Sequence, residues 1–144
     1  MRTVNTDLDS IVGAVMSSTK DRRWFLDLKT GHTFIIDYEF QDEEEVEKIL
    51  VLMEEEMDRY LPIPHLGHED YLREVQVFAN SLSNFPSLQE LLEQAVKEKA
   101  SRKDINRILN RAKDQGEKFN DYLTGRVREQ VQLWLEKGKI KLQP

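Results

Sequence analysis

Residues 23–38 read RWFLDLKTGHTFIIDY, and this stretch indicates the fold class more directly than any other. Trp24, Leu26 and Leu28 alternate with Phe25 and Asp27, and residues 33–38 are rich in β-branched and aromatic side chains, as is typical of strands. The short connection Lys29-Thr30-Gly31 contains a glycine, which adopts a positive φ at low cost. We therefore predict a β-hairpin with strands Arg23–Leu28 and Thr33–Tyr38.

Amphipathic helices are predicted on both sides of this hairpin. Thr6 and Asp7 can cap a first helix that covers the hairpin, and apolar residues recur at helical spacing from Glu43 to Met57. The segment Leu61-Pro62-Ile63-Pro64 must be extended, because a residue before proline avoids helical angles. Further on, Ser87 and Ser101 are predicted to cap helices, and Gly116 and Gly138 to end them.

These patterns together predict an α+β fold in one domain, residues 1–144. One N-terminal β-hairpin packs against a mainly helical domain, which consists of the Asp7–Ser18 helix and about five further helices. The side chains expected in the core are those of Trp24, Phe34, Ile36, Leu50, Phe78, Leu92, Ile105 and Trp134.

The composition excludes several classes of protein. A chain of 144 residues with 39% hydrophobic and 33% charged residues is typical of one globular domain. Without cysteine there are no disulfides, thiolate zinc sites or cysteine nucleophiles. The longest apolar run, Ile49–Met53, is far shorter than the roughly 20 residues that cross a bilayer. Asp7 and Asp9 interrupt any N-terminal signal sequence, so we expect a cytoplasmic protein that does not bind membranes.

The net charge of −6 is unevenly distributed along the chain. Residues 1–96 carry a net charge of −12 and residues 97–144 a net charge of +6. Either the two segments fold against each other and neutralise their fields, or the basic segment contacts an anionic partner. The sequence leaves both alternatives open.

No motif in the sequence identifies a reaction centre. His65, His68, Glu69 and Asp70 are residue types that bind transition metals. A metal site on a helix places its ligands on one face, three or four residues apart, whereas Pro64 and Gly67 indicate that this segment is a loop. The chain also lacks a Gly-x-Ser-x-Gly elbow and a glycine-rich phosphate loop. We therefore predict no catalytic residues, no metal and no cofactor, and a protein that is not an enzyme.

The predicted partner is another protein, which we expect to bind around the two prolines at 62 and 64. Two prolines pre-order this segment, which reduces the entropy lost on binding. Alternatively, its apolar side chains lie in the core and the prolines only turn the chain. The oligomeric state is left open. The predicted partner-binding residues are Tyr60, Leu61, Ile63 and Leu66.

A nucleic-acid-associated regulator is the alternative function. The helix pair at 88–113 has some of the apolar spacing of a helix-turn-helix, although Glu98 and Lys99 replace its usual apolar and glycine residues. An acidic protein is repelled by nucleic acid at long range, which disfavours this alternative. The phosphate-binding residues would be Lys103, Arg107 and Arg111, and the base reader would be Asn106.

Three segments of the chain resemble a family of small uncharacterised bacterial proteins. They are the hairpin residues WFLDLKTG at 24–31, the segment RYLPIP at 59–64, and Val131–Leu135, which ends in Trp134-Leu135 before Gly138. The resemblance spans nearly the whole chain. It implies a bacterial, cytosolic, single-domain protein, and the family has no established activity.

Overall fold

The structure, a computed structural model, describes residues 2–144. The chain divides into two compact units. Unit 1 contains the residues up to Leu66 and those from Val127 to Pro144, and unit 2 contains Gly67–Arg126. The helices and short strands confirm the predicted α+β class. The strands are β1 (Arg2–Val4), β2 (Arg22–Asp27), β3 (Thr33–Asp37), β4 (Tyr60–Pro62) and β5 (Ile140–Leu142). The α-helices are α1 (Leu8–Ser17), α2 (Glu43–Glu55), α3 (His68–Asn80), α4 (Pro86–Lys97), α5 (Arg102–Asn110) and α6 (Lys113–Lys137).

The predicted hairpin forms the centre of unit 1. β2 pairs with β3 in antiparallel register, with Phe25 opposite Phe34. Gly31 in the connecting turn has a φ of 79°, as the sequence predicts. A Cβ atom at Gly31 would also overlap the carbonyl oxygen of Asn5. The turn is therefore fixed both by its own conformation and by the approach of the N-terminal segment.

Two further strand pairings in unit 1 are not in the sequence prediction. β4 adds to the free edge of β2, giving the strand order β3-β2-β4, with Leu61 opposite Leu26. Pro62 is tolerated because β4 is an edge strand, where a missing N–H interrupts no second ladder. β1 and β5 form a separate parallel pair, in which Arg2 lies opposite Ile140.

Helix α1 packs as the sequence predicts. Asp7 is its N-cap and accepts a hydrogen bond from the Ser10 amide at 2.7 Å. The helix contacts β3, so it covers the hairpin. Its buried side chains are Ile11, Val12, Ala14 and Val15.

Fewer side chains of helix α2 are buried than the sequence predicts. Val46 is buried and Ile49 and Met53 are half-buried, but Leu50, predicted in the core, is 37% exposed. Successive residues of a helix are rotated by about 100° around its axis. Leu50 therefore lies at the border between the half-buried Ile49 and the exposed Val51. Met57 lies beyond α2, in the 3₁₀ turn Met57–Arg59, and is exposed.

Unit 2 is built from α3, α4, α5 and the first part of α6. Phe78 and Phe119 meet edge to face at 5.2 Å between ring centroids, and Tyr71 meets Phe119 at 6.0 Å. Leu92 and Ile105 are fully buried, as predicted. The core of this unit therefore contains an aromatic cluster and fully buried aliphatic side chains.

Some predicted helix boundaries and core positions are wrong. Phe85, not Ser87, is the N-cap of α4, because Pro86 occupies the first helical position, where its fixed φ suits the helix. Gly116 does not end a helix but lies in the first turn of α6, where a Cβ would come within 3.3 Å of the Leu109 carbonyl oxygen. Among the predicted core residues, Ile36 and Phe78 are buried, whereas three are half-buried: Trp24, Phe34 and Trp134.

Candidate functional site

The segment predicted to bind a partner is incorporated into unit 1. Ile63 and Leu66 are buried, at 5% and 6% exposure, while Tyr60 and Leu61 are half-buried. The Leu66 amide donates to the hydroxyl of buried Ser18 at 3.2 Å. Ile63 and Leu66 therefore serve the core, the alternative that the sequence leaves open, and only Tyr60 and Leu61 present part of their surface. Partner binding by this segment remains a prediction.

A charged pair fastens this segment to the hairpin turn. Arg59 donates to both carboxylate oxygens of Asp27, from Nε at 2.9 Å and from Nη2 at 2.8 Å. The backbone amides of Lys29 and Thr30 donate to the same carboxylate. The bidentate contact from Arg59 holds the pKa of Asp27 well below its usual range and raises the pKa of Arg59. The pair is structural, since its further polar contacts are with the two turn amides and with Glu56, which accepts a hydrogen bond from Arg59 Nη1 at 2.8 Å.

The two histidines considered as metal ligands have other partners. His65 Nδ1 lies 2.7 Å from a guanidinium nitrogen of Arg23, within unit 1. His68 stacks on Tyr71, within unit 2. Among residues 2–144, no three histidine or carboxylate side chains are placed to hold a metal ion.

The residues predicted to contact nucleic acid lie on the exposed side of α5 and at its end. Lys103, Asn106, Arg107 and Arg111 are all exposed, and Arg107 pairs loosely with Asp104 at 3.6 Å. The opposite side of α5 is buried through Ile105 and Leu109. The structure thus brings the four predicted residues to one solvent-facing surface.

The turn before α5 removes one objection to the helix-turn-helix alternative. Lys99 has a φ of 55°, the left-handed conformation that glycine usually supplies. The Ala100 amide donates to the Ala95 carbonyl at 2.9 Å and the Lys99 amide to Val96 at 3.1 Å, which closes the end of α4. The backbone therefore makes the glycine-type turn with a lysine.

The outer side of α2 is an exposed surface that the sequence prediction missed. Val51 and Leu52 are 49% and 59% exposed, and together with Glu44, Glu47 and Lys48 they form one exposed face of this helix. The sequence contains a signal for this surface, because all five residues of Ile49–Met53 are apolar. A helix has 3.6 residues per turn, so five consecutive side chains point in all directions around its axis. Some of these side chains must therefore face away from the core.

No α-helix among residues 2–144 has the length and apolar character that a bilayer crossing requires. The fold is α+β, with exposed apolar side chains on α2 and exposed basic side chains on α5. The chain belongs to the uncharacterised protein family UPF0158, whose model matches residues 1–143.

Two curated relatives are proteins named UPF0158 protein. The one from Chlamydia trachomatis serovar D is 26% identical over 131 residues, covering 91% of this chain and 40% of the relative. The one from Chlamydia muridarum is 24% identical over 131 residues, covering 91% and 39%. The chain spans about two-fifths of the length of these relatives. No solved structure matches it.

Proposed function

We propose that this protein is a non-catalytic interaction module that binds a protein partner through the outer side of α2. The observation that carries the proposal is the exposure of Val51 and Leu52 in the middle and last turns of a helix. Exposed apolar side chains that lie together are typical of protein-binding surfaces. In this proposal the main contact surface is the outer side of α2, defined as Glu44, Glu47, Lys48, Val51 and Leu52, and the half-buried Tyr60 and Leu61 are a secondary one.

The absence of catalytic motifs from the sequence supports a non-catalytic role. The strongest perturbation of a carboxylate pKa, at Asp27, has a structural cause in the bidentate Arg59 contact. A carboxylate whose pKa is held low is a poor general acid at neutral pH.

The experiment compares two aspartate variants of exposed leucines. Leu52 and Leu133 are 59% and 58% exposed and both lie within helices, so Leu52→Asp and Leu133→Asp are matched in residue type and exposure. Tagged wild type and both variants are used to capture proteins from cells of the native host, and circular dichroism verifies folding. We expect Leu52→Asp alone to lose a partner. If folded Leu52→Asp retains every protein that wild type captures, the proposal is wrong.

A nucleic-acid-associated regulator remains the second candidate, and the left-handed turn at Lys99 favours it. Lys103, Arg107 and Arg111 would contact phosphates without sequence preference, while Asn106 would read a base. Fluorescence anisotropy with mixed DNA and RNA at about 50 mM salt tests this candidate. Binding that is lost when all three basic residues become alanine would support it. No binding at micromolar protein would exclude it.

A further inference from the structure

The outer side of α2 has two chemically different halves. Its residues follow one another at the i, i+3, i+4, i+7, i+8 spacing of one helix face. Glu44 and Glu47 occupy the N-terminal half, and Val51 and Leu52 the C-terminal half. Glu44 and Val51 are separated by seven residues, or about 10 Å along the axis. A ligand of this surface must therefore meet carboxylates at one end and apolar side chains at the other.

The carboxylates on this surface are available to a ligand. Glu44 is paired with Lys48 at 4.0 Å, but both side chains are more than 70% exposed. Such a solvent-exposed pair contributes little to stability and is readily exchanged. Glu47 is exposed as well. The surroundings reinforce the negative potential, because residues 43–56 contain seven glutamates and one lysine.

We propose that the partner docks on the outer side of α2 as a basic amphipathic helix. This inference rests on the proposed function and adds the chemistry of the partner. Apolar residues of the partner helix cover Val51 and Leu52, and its lysine or arginine residues, about two turns away, contact Glu44 and Glu47. The apolar contact supplies most of the affinity, and the charges set the orientation and accelerate association.

The charge of α2 disfavours the other occupants. A second copy docked through the same helix would bring two strongly acidic segments together, with like charges opposed. Nucleic acid and anionic lipid surfaces would be repelled by the same glutamates. A basic partner is the occupant that relieves this charge.

Three synthetic peptides of about 18 residues, or about five helical turns, test the inference. The first is an amphipathic helix of leucine, alanine and lysine. The second has glutamate in place of every lysine, and the third has the composition of the first in scrambled order. Fluorescence anisotropy is measured with the full chain at low and high salt. We expect only the basic amphipathic peptide to bind, and more weakly as salt rises.

Matched variants assign the binding to this surface. Leu52→Asp should lower the affinity for the basic peptide by about tenfold or more, while Leu133→Asp should bind this peptide with the affinity of wild type. The double variant Glu44→Lys/Glu47→Lys should lose the basic peptide and gain the acidic one. This reversal is not expected of non-specific attraction to an acidic protein, because the rest of the chain is unchanged.

Failure of the inference can be distinguished from failure of the proposed function. If the basic and scrambled peptides bind equally, or the charge reversal changes nothing, the basic helix is wrong. The interaction module would still stand if Leu52→Asp loses a cellular partner that Leu133→Asp retains. If wild type is instead a dimer that Leu52→Asp dissociates, the occupant is a second copy and the inference is overturned.

Discussion

Asp27 links the hairpin turn to the start of β4 through one carboxylate. It accepts hydrogen bonds from two turn amides and from the Arg59 guanidinium, and its side chain is 10% exposed. Removal of Arg59 would leave the Asp27 carboxylate partly buried without its counter-charge, whereas removal of Asp27 would leave Glu56, at 2.8 Å, as the ionic partner of Arg59. The sequence motif WFLDLKTG therefore contains a structural carboxylate whose role depends on an arginine far along the chain.

We predict that Asp27→Asn lowers the free energy of unfolding by about 2–3 kcal/mol at pH 7. The pKa of Asp27 is lower in the folded protein than in the unfolded chain, so the unfolded chain takes up the proton more readily in acid. Its stabilising contribution is complete above the ordinary carboxyl pKa and is lost as the pH falls below it. The free energies of unfolding of wild type and variant, measured by urea titration, should thus begin to converge as the pH falls below about 4 and continue to approach each other toward the much lower pKa of folded Asp27. A difference that is constant with pH would contradict the ion pair, and Asp21→Asn, an exposed site, is the control.

Two glycines in unit 1 should respond oppositely to the same substitution. Gly31→Ala should lower the free energy of unfolding by about 2 kcal/mol or more, because φ is positive and the new Cβ meets the Asn5 carbonyl. Gly13→Ala should raise it by about 1 kcal/mol, since Gly13 lies in α1 with no atom within 4 Å of the added Cβ. Thermal unfolding measures both. Equal effects at the two sites would show that the turn is not fixed as described.

At the level of elements, local patterns predicted most of the fold. The hairpin, the capped α1 and the Ser101 cap of α5 follow from residues adjacent in sequence. Strands β1, β4 and β5 could not be predicted from local patterns, because each is three residues long and depends on a distant partner strand. Leu50 shows the same limit, since periodicity indicates an apolar side but not how much of it neighbouring elements cover.

The candidate site was only partly predictable for a related reason. Burial of Ile63 and Leu66 depends on contacts such as the one with Ser18, which no local pattern reveals. Exposure of the basic residues on α5 was predictable, because Ile105 and Leu109 define its opposite side. The outer side of α2 was visible in the sequence only as an apolar run too long for one helix face.

The turn between α4 and α5 provides a test at this scale. Lys99→Gly should raise the free energy of unfolding by about 0.5–1 kcal/mol, because glycine adopts a φ of 55° without the strain of a side chain. Lys118→Gly, at an exposed position within α6, should lower it by about 1 kcal/mol. Chemical denaturation followed by circular dichroism measures both. A destabilised Lys99→Gly would contradict the left-handed turn.

At the scale of the whole molecule, the two chain segments of opposite charge do contact each other. Arg128 pairs with Asp9 at 2.7 Å within unit 1, and Arg126 pairs with Glu74 at 3.2 Å within unit 2. Unit 2 carries ten basic and ten acidic residues, so the net charge of −6 belongs to unit 1. Ion pairs between the two segments, as in the first of the two alternatives from the sequence, therefore occur in both units, while unit 1 keeps an excess of negative charge.

We predict that the chain unfolds in one cooperative transition, as expected for the single domain inferred from the sequence. Helix α6 continues from unit 2 into unit 1, so unfolding of either unit shortens this helix and destabilises the part that remains in the other unit. Both tryptophans, Trp24 and Trp134, belong to unit 1, whereas helices occur in both units. Tryptophan fluorescence and far-ultraviolet circular dichroism should give coincident urea curves. Two separate midpoints would instead identify two domains.

The β1–β5 pair has a consequence for the order of folding events. Its register joins Arg2 to Ile140, so nearly the entire chain forms the loop that this pairing closes. Closing a long loop costs chain entropy before any contact compensates for it, and contacts of high sequence separation form slowly. The pairing should therefore assemble after the rate-limiting barrier, on a molecule whose hairpin and helices already exist. The substitution Ile140→Ala, which truncates the side chain, would then accelerate unfolding and leave the refolding rate nearly unchanged.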